Sequence, residues 1–306
     1  MKTVRQKAFA KLNLFLDITG TQDGFHMLDT VVTTVDLYDV VTLTARRDKR
    51  IVLKSSGSLY SINMISDGQS NNAYKAAKAY MDECGTCGAD IVLHKNIPIG
   101  SGMGGSSADI SAVLIGMERL YGAGCDLKKL ADALGSDAGY MLYGGYARLK
   151  GRGERVELLN VDKKLHFFVI SAKGGVNTAD CYKAYDALAR ERSKASADGL
   201  IAGLTGKTLG GENFFNALYA PAVTLNENVG KAYEFIKSLS PTAALMTGSG
   251  SSVFGVFDTP ELCRWAQAKA RYEFKNTFVL QSLTRDELQD KGLFGKNLYS
   301  VEEDIR

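Results

Sequence analysis

Proline is scarce in this chain, 4 in 306 residues, and histidine scarcer still, with His26, His94 and His166 the only 3. So few histidines, so widely spaced, leave no basis for a histidine-built metal centre. Cys84-Gly85-Thr86-Cys87 stands without a second cysteine pair or a neighbouring histidine, reads as the turn after a helix, and is assigned no metal. The 5 cysteines (Cys84, Cys87, Cys125, Cys181, Cys263) are odd in number and scattered, so no disulfide framework is expected and reduced thiols fit a cytoplasmic protein. No apolar run approaches the length of a membrane span, and the first residues lack the apolar core of a signal peptide, so no membrane partner is expected. Basic tracts are missing too. With 37 basic and 34 acidic side chains the net charge is +3, which excludes the electrostatic footprint of a nucleic-acid binder. Internal repeats and low-complexity segments are absent.

What remains is an ordinary globular composition, 45% apolar and 23% charged, at a length that suits two domains or one large one. Glycine is plentiful, at 32 residues, and its densest functional-looking cluster is Pro98-Ile99-Gly100-Ser101-Gly102-Met103-Gly104-Gly105-Ser106-Ser107. Upstream, Ala89, Ile91 and Leu93 alternate as a strand; downstream, Ile110, Val113, Leu114, Met117 and Tyr121 fall at helical spacing. A strand, a glycine loop and a helix N-terminus, with Ser106 or Ser107 as the cap, make a phosphate-binding geometry. The pattern is neither a P-loop nor a dinucleotide fingerprint, and a plain linking turn fits it as well.

Elsewhere the periodicities are clear. Leu12, Leu14, Leu16 and Ile18 predict a half-buried strand with Lys11 and Asn13 on its other face; 20–24 is a polar turn and 30–44 is strand-like. Asn71 or Asn72 caps a helix lined by Ala73, Ala76, Ala77, Tyr80 and Met81, and Asp126 caps another that ends at Gly135. Residues 140–155 read as strands joined by a tight turn, 165–171 as a buried strand, and Thr178 as the start of a helix. Val229, Ala232, Tyr233, Ile236 and Leu239 mark a further helix. Strands at 243–246 and 252–257 flank Gly248-Ser249-Gly250-Ser251; Thr259-Pro260 opens a helix, 277–280 is a last strand, and the tail after Arg285 is polar. A domain boundary falls near Asn160.

If the glycine loop holds phosphate, a kinase also needs a group for an acceptor hydroxyl and a cation for developing charge. Asp137 and Lys11 are the candidates, although an aspartate in a glycine-flanked turn is commonly a cap and a strand lysine commonly a solvated charge. Residues 248–251 read first as a hairpin turn, with a second donor cluster for phosphate as the alternative. Phe25 and His26 read first as turn-packing residues.

Ala10-Lys11-Leu12-Asn13-Leu14-Phe15-Leu16, Asp23-Gly24-Phe25-His26-Met27-Leu28, Asp36-Leu37-Tyr38-Asp39, the glycine loop, Gly151-Arg152-Gly153-Glu154 and Thr247-Gly248-Ser249-Gly250-Ser251-Ser252-Val253-Phe254 occur in the order seen in small-molecule kinases of the GHMP type. The chain resembles that family over most of its length. The two glycine clusters resemble the superfamily at large, while Lys11-Leu12-Asn13 and Asp23-Gly24-Phe25-His26 resemble the branch acting on a cytidine diphosphate-linked methylerythritol. The resemblance implies an α+β fold of two domains, an N-terminal ribosomal-protein-S5-like ATP-binding domain (1–160) and a C-terminal ferredoxin-like domain (161–306), with the active site in the cleft between them. It implies Asp137 as base and Lys11 as its charge partner. Asn71, Lys95, Gly100, Ser101, Gly102, Met103, Gly104, Gly105, Ser106 and Ser107 would bind ATP. Asn13 and His26 would contact the acceptor, Phe25 and Tyr182 would sandwich its cytosine, and Gly248, Ser249 and Gly250 would close over the phosphates. ATP with Mg²⁺ is the implied cofactor, and a monomer or weak homodimer is expected. A GHMP kinase for another alcohol, or a non-catalytic homologue, is the alternative. Three departures stand out: the glycine loop is one residue shorter than in that branch, Ser136-Asp137-Ala138-Gly139-Tyr140 replaces Ala-Asp-Val-Pro-Phe, and Phe25 replaces a tyrosine.

Overall fold

The computed structural model describes residues 2–57, 68–188 and 193–290. In chain order the strands are β1 (Thr3–Gln22), β2 (Phe25–Ala45), β3 (Val52–Gly57), β4 (Ala89–Lys95), β5 (Tyr146–Gly151), β6 (Arg155–Leu159), β7 (His166–Ser171), β8 (Phe215–Asn216), β9 (Ala243–Met246), β10 (Ser252–Phe257) and β11 (Thr277–Leu283). The helices are α1 (Asn72–Cys84), α2 (Gly105–Tyr121), α3 (Leu127–Leu134), α4 (Ala138–Met141), α5 (Thr178–Ala187), α6 (Ala197–Thr205), α7 (Tyr219–Leu225), α8 (Glu227–Ser238), α9 (Pro260–Ala270) and α10 (Arg285–Asp290).

Asp23 and Gly24 both take positive φ (51° and 77°), as a two-residue hairpin turn requires, and fold β1 back on β2. β2 is the organising strand. It pairs antiparallel with β1, β4, β5 and β11, while β3 adds in parallel to β4 and β6 extends from β5. In the second half of the chain β7 lies between β11 and β10, with β9 at the edge. β11 joins the halves: Ser282 and Leu283 pair with Val35 and Thr34 of β2, while the start of the strand pairs with β7. Alternate side chains of β7 serve two cores, Phe167 and Val169 facing the first and Phe168 and Ile170 the second, which is why its sequence is apolar without alternation.

Helix α2 is buried over nearly its whole circumference, from Ala108 to Leu120, because β1 and β2 lie on one side and α1 on another. Glu118 within it is satisfied by Tyr80 Oη (2.6 Å) and the Gly124 N–H (3.0 Å). α1 is capped as expected, Asn71 Oδ1 accepting from the Ala73 N–H at 2.8 Å, and it ends on the left-handed Gly85. Asp126 likewise caps α3.

Some expectations are corrected. Neither Ser106 nor Ser107 caps α2: the cap position is Gly104, in the left-handed region, with no side-chain bond. Tyr140 and Met141, expected to be extended, are helical in α4, because buried Tyr140 anchors the segment by donating to the Gly145 carbonyl at 2.7 Å and meeting Thr34 Oγ1 at 2.9 Å. Cys84 and Cys125, 41 residues apart in sequence, are brought together with Cα atoms 6.2 Å apart, within disulfide reach, a proximity that spacing along the chain did not signal. The polar tail beyond 290 lies outside the described residues. Among the described residues no helix is long and apolar enough to cross a membrane.

Candidate active site

The glycine loop leaves β4 at Lys95 and is held from its first residues. Asp39 Oδ1 accepts the backbone N–H groups of Asn96 (2.5 Å) and Ile97 (2.8 Å), which accounts for the Asp36-Leu37-Tyr38-Asp39 motif. Gly100, Gly102 and Gly104 all have positive φ. Two of these glycines are also required by close approach. A Cβ on Gly102 would lie 2.1 Å from the Thr247 carbonyl oxygen, and one on Gly104 would lie 2.6 Å from Met141 Cε and 3.1 Å from Lys11 Cγ. The loop therefore lies directly on the second glycine cluster and on the Lys11 side chain. Backbone bonds fasten it there: the Lys11 N–H donates to Met103 (3.0 Å), Ser251 to Gly100 (3.1 Å) and Ser252 to Ser101 (3.0 Å). The uncapped start of α2 leaves N–H donors at a positive dipole end, facing the cleft.

Lys11 and Asn13 are each only 3% exposed, so the solvated-strand alternative does not hold. β1 is covered on both faces because residues from far along the chain close over it. Lys11 Nζ donates to Asn13 Oδ1 at 2.5 Å and sits 3.3 Å from Asp137 Oδ2. Asn13 Nδ2 in turn donates to Thr30 Oγ1 (2.9 Å), and the Asn13 backbone N–H to Thr247 Oγ1 (3.0 Å). Asp137 occupies the cap position of α4 yet its carboxylate caps nothing; the side chain is 29% exposed and faces the cleft beside Lys11. A carboxylate released from capping and held next to an ammonium at a phosphate loop is an arrangement that can take a proton from a hydroxyl and offset charge on the oxygen left behind.

Below the loop, Lys95 is buried with its ammonium between Asp39 and Asp109. Burial works against its charge, but the two carboxylates outweigh burial and raise its pKa. Asp109 Oδ2 accepts from Lys95 at 2.6 Å, while Oδ1 is buried with no hydrogen-bond partner. Burial, assisted by Asp39, pushes the Asp109 carboxyl up to about 7. Asn71 and Lys95 both line the cleft, as do Ser106 and Ser107; Asn72 Nδ2 donates to Ser106 Oγ.

At the other end, His26 stacks on Tyr182 (centroids 4.7 Å apart, planes 26°). Its Nε2 donates to Asp186 Oδ1 at 2.8 Å, which leaves Nδ1 for another partner. Phe25 is 48% exposed, with the Arg152 guanidinium 3.8 Å above its ring. One cleft of about 930 Å³ gathers Lys11, Asn13, Phe25, His26, Asn71, Lys95, Asp137, Tyr182, Gly248, Ser249 and the glycine loop. Met103 and Gly250 are off its wall: Met103 is fully buried, and Gly250 packs toward Met246 and Val176. Sequence reading missed Asp109, Arg152, Thr30 and Thr247. Of these, Arg152 and Thr247 stand inside motifs that carry the family resemblance, where neither was given a role.

Residues 71–145 match the family of GHMP kinases N terminal domain. The 4-diphosphocytidyl-2-C-methyl-D-erythritol kinase of Clostridium tetani is 34% identical over 277 residues, 87% of this chain and 96% of that protein. A crystal structure of 4-(cytidine 5'-diphospho)-2C-methyl-D-erythritol kinase superposes with a TM-score of 0.76 at 27% identity, over 91% of this chain and 99% of that one. A homoserine kinase from Cytophaga hutchinsonii shares the fold, with a TM-score of 0.70 at 20% identity over 93% of this chain and 95% of that one. On the strength of the sequence match along nearly its whole length, this chain belongs to the 4-diphosphocytidyl-2-C-methyl-D-erythritol kinase family of GHMP kinases.

Proposed function

We propose that the chain transfers the γ-phosphoryl group of ATP to the 2-hydroxyl of 4-diphosphocytidyl-2-C-methyl-D-erythritol, with Asp137 as base and Lys11 as its electrostatic partner. The observation that carries this reading is the Asp137 carboxylate, unused as a helix cap, 3.3 Å from a buried lysine that lies across Gly104 of the glycine loop. Loop glycines and the uncapped α2 terminus hold the ATP phosphates through backbone N–H groups. Asp137 takes the hydroxyl proton as the acceptor oxygen bonds to the γ-phosphorus. The bond from that phosphorus to the bridging oxygen breaks, and ADP leaves. Lys11, oriented by Asn13, offsets charge on the attacking oxygen.

The cytosine is read by Phe25, His26 and Tyr182. The aromatic rings offer stacking faces, and His26, held by Asp186 through Nε2, keeps Nδ1 for a polar contact with the base. Mg²⁺ would fit Asp109 of α2, whose orphaned Oδ1 is a hard oxygen ligand on a residue lining the cleft; phosphates and water would supply the rest of its shell. Bound there, the ion would neutralise phosphate charge. We assign residues 1–160 and 161–306 as the two lobes of this cleft.

ADP release measured over a panel of alcohols tests the acceptor. Turnover is expected with the cytidine diphosphate-linked methylerythritol and at least about 10²-fold lower kcat/KM with the free polyol, homoserine or mevalonate, since an acceptor site left without its polar contacts loses several kcal/mol. Turnover confined to a non-cytidylated alcohol would overturn the assignment.

A further inference from the structure

We infer that Arg152 is the residue that recognises the diphosphate of the acceptor, and so selects diphosphate-linked alcohols over free ones. The inference rests on the acceptor reading above. Such an acceptor carries an anionic diphosphate between its base and its alcohol. With the base near Phe25, His26 and Tyr182 and the hydroxyl at Asp137, that anion crosses the intervening wall of the cleft, away from the glycine loop that serves ATP.

Among the described residues, the lysines and arginines on the cleft wall are Lys11, Lys95, Arg152 and Lys183. Lys11 faces Asp137, Lys95 faces Asp39 and Asp109, and Lys183 faces Asp180 at 3.6 Å. Arg152 alone of these has no carboxylate ion pair among the described residues. Its position is set by the turn between β5 and β6. Glu154 Oε2 accepts the Arg152 backbone N–H at 2.6 Å, and Lys128 Nζ donates to the Glu154 carbonyl at 3.1 Å. A Cβ on Gly153 would lie 2.8 Å from the Ser136 carbonyl oxygen, so the turn abuts the residue preceding Asp137. The same turn thus touches the proposed base-stacking end, through Arg152 on Phe25, and the proposed reaction centre, through Gly153 on Ser136.

A guanidinium stacked on a ring keeps its in-plane N–H donors free at the edges, and their fork matches two phosphate oxygens. Arg152 can hold the diphosphate without leaving Phe25. An unpaired, exposed cation over an exposed phenyl ring is otherwise worth little to the fold.

The test is equilibrium binding of CDP and of cytidine to the full chain, with a non-hydrolysable ATP analogue saturating the nucleotide site, in wild type, Arg152→Ala and Arg152→Lys. Wild type is expected to prefer CDP to cytidine by about tenfold to hundredfold, the size of charge-assisted hydrogen bonds. Arg152→Ala should abolish that preference while cytidine and ATP-analogue affinities stay within about twofold; Arg152→Lys should retain an intermediate preference. A CDP preference intact in Arg152→Ala overturns the inference and leaves the acceptor reading standing, as does an equal loss for CDP and cytidine, which would make Arg152 only a support for Phe25. Failure of wild type to bind either compound overturns the acceptor reading and this inference with it.

Discussion

Asp109 is a buried carboxyl whose pKa is pushed up to about 7 by desolvation, with Asp39 adding to it, against an ordinary value near 3.8. A group whose folded pKa is raised contributes stability that is fully present below its unfolded pKa and is lost as pH rises through the folded one. Its contribution therefore falls between about pH 4 and 7, by up to about 1.4 kcal/mol per pH unit. Asp109→Asn, neutral throughout, should remove that slope, so the difference in melting temperature between variant and wild type should move in favour of the variant as pH rises from 4 to 7. Parallel melting curves across that range would contradict the assignment of charge beneath the loop. At this scale the sequence was only half legible. Lys11 and Asn13 could be put on one strand face from the alternation of Leu12, Leu14 and Leu16, but their burial could not. It depends on Thr247, 234 residues from Asn13, which no local pattern reports. Asp137 is legible as a turn aspartate, but that its carboxylate caps nothing depends on the folded geometry of α4.

Among elements, the glycine loop and the strand and helix around it were read nearly to the residue, because a period of 2 giving way to 3.6 across a run of glycines is a local signal. Ser106 and Ser107 suit a cap by type, yet Gly104 takes the left-handed conformation and starts the helix two or three residues earlier than either would. The absence of a capping side chain is what leaves donors for phosphate. Gly104→Val combines a strained backbone with a side chain driven into Met141 and Lys11, so the loop must shift. ATP affinity should fall by at least about tenfold in the folded variant, the loss of one or more charge-assisted hydrogen bonds, measured by equilibrium nucleotide binding. Unchanged affinity would contradict phosphate binding by this loop. Sequence reading left out β3, α6, α7 and α10 as well as the shortest elements. β8 and α4 are too short to show a period and exist because β1 and Tyr140 respectively hold them in place.

Across the whole molecule, the cleft is made by contacts between halves of the chain. β11 ties the second half to β2, β8 adds to β1, and residues 247–252 close on the glycine loop. The alternation of strands and helices was enough to read an α+β chain with a break near 160; the bridging by β11 was not, since a seven-residue apolar strand carries no label for its partners. This assembly matters for chemistry because it brings three separate segments, around Lys11, Gly104 and Asp137, into contact. The most direct test of the central claim is the single-turnover rate of phosphoryl transfer by Asp137→Asn with ATP and the cytidine diphosphate-linked methylerythritol both bound. Removing the base while preserving shape should lower that rate by at least about 10²-fold, with both substrate affinities within about twofold of wild type. A folded Asp137→Asn enzyme that transfers at a near-normal rate would contradict the account, leaving Asp137 as no more than a turn residue beside a lysine.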